Sequence, residues 1–255
     1  MNIMKSMFRA ITLALCALLT MPNRAEAVDF IDYGPATDLI ETDVHFLIGG
    51  SAILQNYSGC FSEIRELNAS MGTAYGVGAG AVFGLRKYLG LGTEFNITVN
   101  NNRINMAVTN DDVTSVSNIF LRNRYYYMNI PLYLSFRFGL ASTIVWNVDT
   151  GLYYSYGFAG SQKQTIYNST VNDLGQLVPR VLESKPGYFN NGGTFVNRFR
   201  RGDIGLHLAT AVTFGRRISV GGRVQIGLKN ISHTTGLKNP NIHNINVMAT
   251  LGYKF

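Results

Sequence analysis

Apolar and polar residues alternate with a period of two through residues 242–255, I-H-N-I-N-V-M-A-T-L-G-Y-K-F. Ile245, Val247, Ala249, Leu251, Tyr253 and Phe255 fall on one face, and Asn244, Asn246, Met248, Thr250, Gly252 and Lys254 on the other. Period two is the signature of a β-strand. A soluble sheet would turn the apolar face to a core. A membrane barrel turns it to lipid, with aromatics at the interface and the polar face toward the lumen.

Seven earlier segments alternate in the same way. Residues 43–54 set Val44, Phe46, Ile48 and Ala52 against His45, Gly49 and Ser51. Residues 74–85 set Tyr75, Val77, Phe83 and Leu85 against Gly76, Gly78, Gly80 and Gly84. Such a glycine row lets a strand bend and leaves room inside a narrow barrel. Residues 88–100 set Leu91, Phe95 and Ile97 against Glu94, Asn96 and Thr98. In residues 125–138, Ile130, Leu132, Leu134, Phe136 and Phe138 alternate with Asn129, Pro131, Tyr133, Ser135 and Arg137. Pro131 cannot donate to a ladder and predicts a special place such as a bulge. The remaining strands are expected over residues 142–156, 203–214 and 218–229.

The connections alternate in length. Those at residues 86–87, 139–141 and 215–217 are tight. Those at 55–73, 101–124 (part of it strand extension), 157–202 and 230–241 are long. Strict alternation gathers every long connection at one end, as in outer-membrane barrels with short periplasmic turns and long external loops. The fold class expected is all-β: an eight-stranded antiparallel up-and-down transmembrane β-barrel with both termini on the periplasmic side.

The N-terminus completes the picture. Lys5 and Arg9 precede an apolar stretch at residues 10–21, and Ala25-Glu26-Ala27 is an A-x-A cleavage site. We therefore divide the chain into a cleaved signal peptide (1–27), a periplasmic lead-in (28–42) and a barrel (43–255). The apolar run is too short for an anchor helix. Cys16 follows Leu15, which is too bulky to precede a lipidated cysteine. Removing residues 1–27 takes three of the 22 basic and one of the 15 acidic residues, leaving a mildly basic chain with scattered charges. No basic stripe or finger motif points to nucleic acid. Cys60 is then alone, with no partner for a disulfide and no C-x-x-C spacing.

The run Y-M-N-I-P-L-Y-L-S-F over residues 127–136 resembles the central motif of the PorT-like outer-membrane β-barrel proteins of Bacteroidetes. Residues 201–206, the glycine-rich hairpin at 215–231 and the terminal L-G-Y-K-F at 251–255 resemble that family's last three strands. The resemblance covers roughly residues 43–255. It implies an eight-stranded barrel in the Gram-negative outer membrane and, from the founding member, a role in export by the type IX secretion system. The last strand is similar to those whose final aromatic, here Phe255, is read by the barrel-assembly machinery. Expected partners are therefore outer-membrane lipid, that machinery and secretion-system proteins.

Eight strands enclose an interior that side chains fill. The alternation turns Arg86, Glu94, Arg137, Asp149, Asp203, Arg223, Lys229 and Lys254 inward, with His45 and His207. Opposite charges must pair there, because an unpaired charge in a tight interior is costly. Tyr75, Tyr88, Tyr125, Tyr126, Tyr127, Trp146, Tyr154, Tyr156 and Tyr253 lie near strand ends, as an interfacial girdle would. Ser51 and His45 share a face about 20 Å apart, and His207 and Asp203 about 13 Å apart, both too far for a catalytic pair on one strand. Cross-strand partners stay open. His233 and His243 would need two further ligands to hold a metal. No nucleophile-elbow, zincin or phosphate-loop motif is present. No cofactor, metal or catalytic residue is assigned. The expected function is a non-enzymatic outer-membrane barrel acting in assembly, secretion or surface interaction. A barrel enzyme acting on lipid or peptide and a narrow pore are the alternatives.

Overall fold

The computed structural model describes residues 40–56, 64–86, 88–109, 115–141, 143–172, 174–189, 199–232 and 241–255. The expected signal peptide, Cys60 and His233 lie outside these residues. Among the described residues nine strands form: β1 (Ile40–Asn56), β2 (Ile64–Arg86), β3 (Leu89–Thr109), β4 (Ser115–Ala141), β5 (Ile144–Val171), β6 (Leu177–Ser184), β7 (Gly202–Phe214), β8 (Ile218–Gly227) and β9 (Asn241–Lys254). Their order is β4-β3-β2-β1-β9-β8-β7-β5, and β4 also pairs with β5, so eight strands close into a ring. Within the ring closure leaves no free edge; the β1–β2 pairing ends at Ser51↔Gly72, so the part of β2 before Gly72 pairs, among the described residues, with β3 alone. β6 stands outside the ring, paired to the distal part of β5 from Gln164↔Ser184 to Val171↔Leu177. The expected long connection at 157–202 is thus partly a hairpin, and β1 begins at Ile40 rather than residue 43.

One end of the ring carries the tight turns; we call it the near rim, and the opposite end the far rim. In the β7–β8 turn, Gly215 (φ 58) and Arg216 (φ 59) both have positive φ, and Arg217 N–H donates to the Phe214 carbonyl at 3.1 Å. Two consecutive positive φ values make a type I′ turn, whose twist matches that of the strands it joins. Pro131 causes no bulge. β3 and β4 keep one register past it, Thr93 opposite Leu132 and Asn96 opposite Asn129, and Thr93 Oγ1 donates to the Pro131 carbonyl at 3.0 Å.

The strands differ greatly in length. β7, β8 and β9 have 13, 10 and 14 residues, whereas β2, β3, β4 and β5 have 23, 21, 27 and 28. About ten tilted residues cross a bilayer, so β2–β5 project well past the far rim and, with β6, continue the sheet there. Two bulges mark where this projection starts. One lies on β2 between Met71 and Ala74. The other lies on β5, where Tyr126 faces Ala159 and Tyr127 faces Gly157, leaving Phe158 over. Arg201 clamps the second: its Nη1 donates to the carbonyls of Gly157 (2.9 Å) and Phe158 (3.0 Å).

Below the bulges the outer face is apolar and exposed, as at Phe46, Ile48, Phe95, Leu132, Leu152, Leu206, Val220 and Leu251. The inner face there is buried and polar, with Glu94, Asn96, Thr98, Asn129, Ser135, Arg137 and Gln225. Above the bulges the inner face of β3 and β4 turns apolar, and cations and amides join Phe120 and Tyr167 on the outer face. Ile104, Met106, Ile119 and Leu121 are buried inward in one cluster with Leu67, Val108 and Ile166, while Arg103, Asn105, Arg122 and Lys163 are exposed. Ile245, expected outward, is enclosed at 3 % exposure, opposite Ala52 on β1 and Ile226 on β8.

Candidate functional site

The lumen holds most of the residues that the alternation turned inward. At the near rim Arg137 Nη1 lies 2.6 Å from Glu41 Oε1, and Lys254 Nζ lies 3.3 Å from Glu41 Oε2. Glu41, expected in the lead-in, is therefore a barrel residue on β1. Asp149 is half-buried nearby, in register with Ser135. One level further in, Glu94 accepts from Arg223 Nη1 (2.6 Å), Asn96 Nδ2 (2.9 Å) and Tyr133 Oη (3.2 Å). His45 joins the same cluster: Nδ1 is 2.6 Å from Asp43 Oδ2, and Nε2 is 2.6 Å from Asn96 Oδ1 and 3.5 Å from Glu94 Oε2.

The glycine row of β2 explains how such a cluster fits. A Cβ on Gly78 would overlap Asn96 Oδ1 and come within 2.6 Å of His45 Nε2; one on Gly80 would come within 2.6 Å of Asp43 Oδ1. The missing side chains are the space into which the charged groups of β1 and β3 reach.

Beyond this cluster the interior is a chain of amides and hydroxyls. Asn129 donates to Thr98 Oγ1 at 2.9 Å and accepts from Ser155 Oγ. Asn123 donates to Asn102 Oδ1 at 2.7 Å, and Gln162 to Asn123 Oδ1 at 2.9 Å. Asp203 accepts from Tyr153 Oη (3.1 Å) and Asn244 Nδ2 (3.0 Å). His207 is fully buried, with Nδ1 3.5 Å from Gln225 Nε2 and its ring 5.4 Å from that of Tyr133.

At the far rim the lumen turns apolar. Tyr125 stacks on Tyr188 at 4.4 Å and Tyr188 on Phe199 at 4.4 Å, with Tyr127 and Phe189 edge-on. Ile53, Ile231 and Ile242 complete this cluster. Tyr125 and Tyr127, expected in the girdle, instead point inward and cap the polar interior. Their odd numbers placed them with Asn129 and Tyr133 on the inner face, a signal overridden by their position near a strand end. Tyr126, between them, faces out beside Phe158. Alternation cannot pair Tyr188 and Phe199 with them, since both lie in the long connection.

Two assignments need correction or stand apart. Lys229 is exposed rather than inward. β8 ends at Gly227, and the N–H groups of Leu228 and Lys229 both donate to the Ile204 carbonyl, at 2.9 and 3.2 Å, which breaks the alternation and swings Lys229 out. Arg86 ends β2, and its side chain lies outside the described residues. Phe255 is 77 % exposed at the near rim, edge-on to Tyr253, with its N–H donating to the Thr42 carbonyl.

The cross-strand partners of His45 and Ser51 are now defined, and these two do not form an acyl-transfer dyad with each other. His45 Nε2 faces Asn96 and Glu94 rather than a hydroxyl, and Ser51 Oγ lies 3.1 Å from Tyr125 Oη. Among the described residues no three His, Cys, Asp or Glu side chains group to hold a metal ion, and no helix is long and apolar enough to cross a membrane.

A closed ring of eight antiparallel strands, apolar outside and polar within, is a transmembrane β-barrel of the Gram-negative outer membrane. The chain belongs to the family of outer membrane protein β-barrel domains, whose model matches residues 42–233. Among solved structures it is similar to Ail, the attachment invasion locus protein of Yersinia pestis, at 8 % identity over 85 % of this chain and 97 % of that one, with a TM-score of 0.37. It is similar also to Neisserial surface protein A (10 % identity, 84 % of this chain and 97 % of that one, TM-score 0.31). A third is the outer membrane protein OprG from Pseudomonas aeruginosa (9 % identity, 85 % and 94 %, TM-score 0.32). No curated protein matches the sequence.

Proposed function

We propose that the protein is a non-enzymatic membrane-anchored interaction component that works through the sheet beyond its far rim, in an assembly or secretion role of the type IX kind that the PorT-like resemblance implies. The observation that carries this reading is the contrast between a filled lumen and an unfilled edge. The interior is crossed by ion pairs, an amide chain and an aromatic stack. β6, by contrast, pairs among the described residues with β5 alone, and all eight of its residues are exposed. Leu177, Val181 and Leu182 are among them. An exposed edge strand with apolar side chains is a template for an added strand from another protein. Pro179 on β6 limits how far such a strand could continue.

In this reading the far rim faces outside, because short turns face the periplasm in outer-membrane barrels. Phe255, outward at the near rim, serves as the terminal aromatic that the barrel-assembly machinery reads. Outer-membrane lipid covers the apolar belt. The geometry of His45 and Ser51 supports neither a hydrolase nor a relay, and the aromatic stack works against a pore.

The test is cross-linking and co-purification from native membranes. Wild type should retain a defined set of partner proteins, secretion components among them. A variant lacking residues 165–183 should fold as a heat-modifiable barrel and lose that set. Undiminished partners in the shortened variant would overturn the reading.

A further inference from the structure

Three cations stand in one row on the outer face of the projecting sheet. Arg103 on β3 is directly opposite Arg122 on β4, and Arg122 is directly opposite Lys163 on β5. All three are exposed. Directly opposed side chains on neighbouring strands have Cβ atoms about 5 Å apart, and like charges so placed repel. A sheet gains nothing from such a row by itself. Among the described residues neither guanidinium has an acidic partner, and Lys163 reaches only Glu183, at 3.9 Å between two exposed groups.

The height of the row is as informative as its charge. Two residues nearer the membrane on the same face of β4, Arg124 donates to Tyr75 Oη at 3.1 Å and lies over the Tyr126 ring at 5.7 Å. Two residues nearer still comes Tyr126, packed against Phe158. Tyr75, Tyr126 and Phe158 are the aromatics between the row and the apolar belt, and the exposed pair Phe120 and Tyr167 stands on the other side of the row. Four residues of strand separate Arg122 from Tyr126, about 13 Å along the chain and less along the membrane normal after tilt. That is the depth of lipid headgroups. Arginine pairs bidentately with phosphate, and two neighbouring strands can grip one phosphate between them.

We propose that Arg103, Arg122 and Lys163 form a binding site for the phosphate groups of the outer leaflet's glycolipid. The anion removes the repulsion within the row, and its acyl chains lie on the apolar belt beneath. Arg124, already held by Tyr75, positions the aromatic step between the two. The proposal uses the outward orientation of the far rim but needs no protein partner at β6, so the two readings fail separately.

The experiment titrates full-length protein, refolded in detergent, with fluorescent bisphosphorylated lipid A. Binding should be saturable. The triple variant R103S/R122S/K163S should bind on the order of a hundredfold more weakly, and R122S alone, at the centre of the row, should bind measurably more weakly than wild type. R103K/R122K, which keeps the charges, should recover part of the loss. R180S/R216S/R217S removes as many cations elsewhere and should bind as wild type does. Folding of each variant is checked by heat-modifiable gel mobility; should the triple variant not assemble, R122S carries the test. Dephosphorylated lipid A should bind no better to wild type than to the triple variant. The proposal is overturned if the triple variant and R122S bind as wild type does, or if the control variant loses as much. It is overturned equally if phosphatidylglycerol competes as well as lipid A, which would mean general attraction to anionic lipid, or if inorganic phosphate alone does, which would make the ligand a free ion.

Discussion

Along β3 the inner face is polar from Glu94 to Asn102 and apolar from Ile104 onward, while the outer face passes from Phe95 and Ile97 to Arg103 and Asn105. One strand thus belongs to two solvents. In the membrane, apolar surface is at home outside, and the interior is held by polar groups that satisfy one another. In water the sheet follows the ordinary rule, with apolar residues inside. The two straight strands, β3 and β4, change solvent by changing composition. β2 and β5 do so by a bulge, which shifts the alternation by one residue. Cohesion therefore has opposite chemical origins in the two parts, and each can be broken without the other.

The largest effect should come from the charged cluster. Glu94→Ala leaves Arg223 buried without its carboxylate, and such unpaired buried charges cost about 3–5 kcal/mol. The whole barrel should lose stability, read as a lower temperature for the heat-induced gel shift. The double variant with Arg223→Met should recover most of it.

In the projecting sheet, Leu121→Ala should cost about 2–5 kcal/mol, the range for a fully buried leucine. Here the loss should stay local. Protease should cut β3–β6 faster, while the membrane-embedded ring keeps its gel shift. A parallel fall in both would mean that the two parts melt as one.

Gly78→Ala tests the space that the glycine row leaves. The added methyl meets Asn96 and His45, so overpacking of about 1–3 kcal/mol is expected, read by the same gel shift. The smallest effect should be a gain. Arg216 sits at φ 59, where a side chain is disfavoured, so Arg216→Gly should stabilise by up to about 1 kcal/mol.

The alternation carried the membrane half of the fold well. It set the faces of all eight ring strands and turned Glu94, Arg137, Asp203, Arg223 and Lys254 inward, because in lipid the outward face must be apolar and the period must be two. It did not pair Arg137 with Glu41 or Arg223 with Glu94. Those contacts depend on register across strands that are distant in sequence. The projecting sheet falls mostly within the expected connections for a physical reason. Its apolar residues, Ile104, Met106, Ile119 and Leu121, fall on the parity that means lumen below the bulges, so a rule written for lipid sees the pattern stop. Pro179 and the all-exposed β6 weakened the signal further. Lys229 is expected inward but lies exposed, because nothing in the residue types marks where a ladder ends.

The exchange of faces along β3 can be measured directly. In a Cys16→Ser/Cys60→Ser background, a fluorophore is placed at Phe95→Cys or at Asn105→Cys, two positions on the same outer face, and the refolded protein is reconstituted in bilayers. Brominated lipid should quench the label at 95 and leave that at 105 nearly unaffected, while aqueous iodide should do the reverse. Strong lipid quenching at both positions would put the projecting sheet inside the membrane and contradict the division into two solvents.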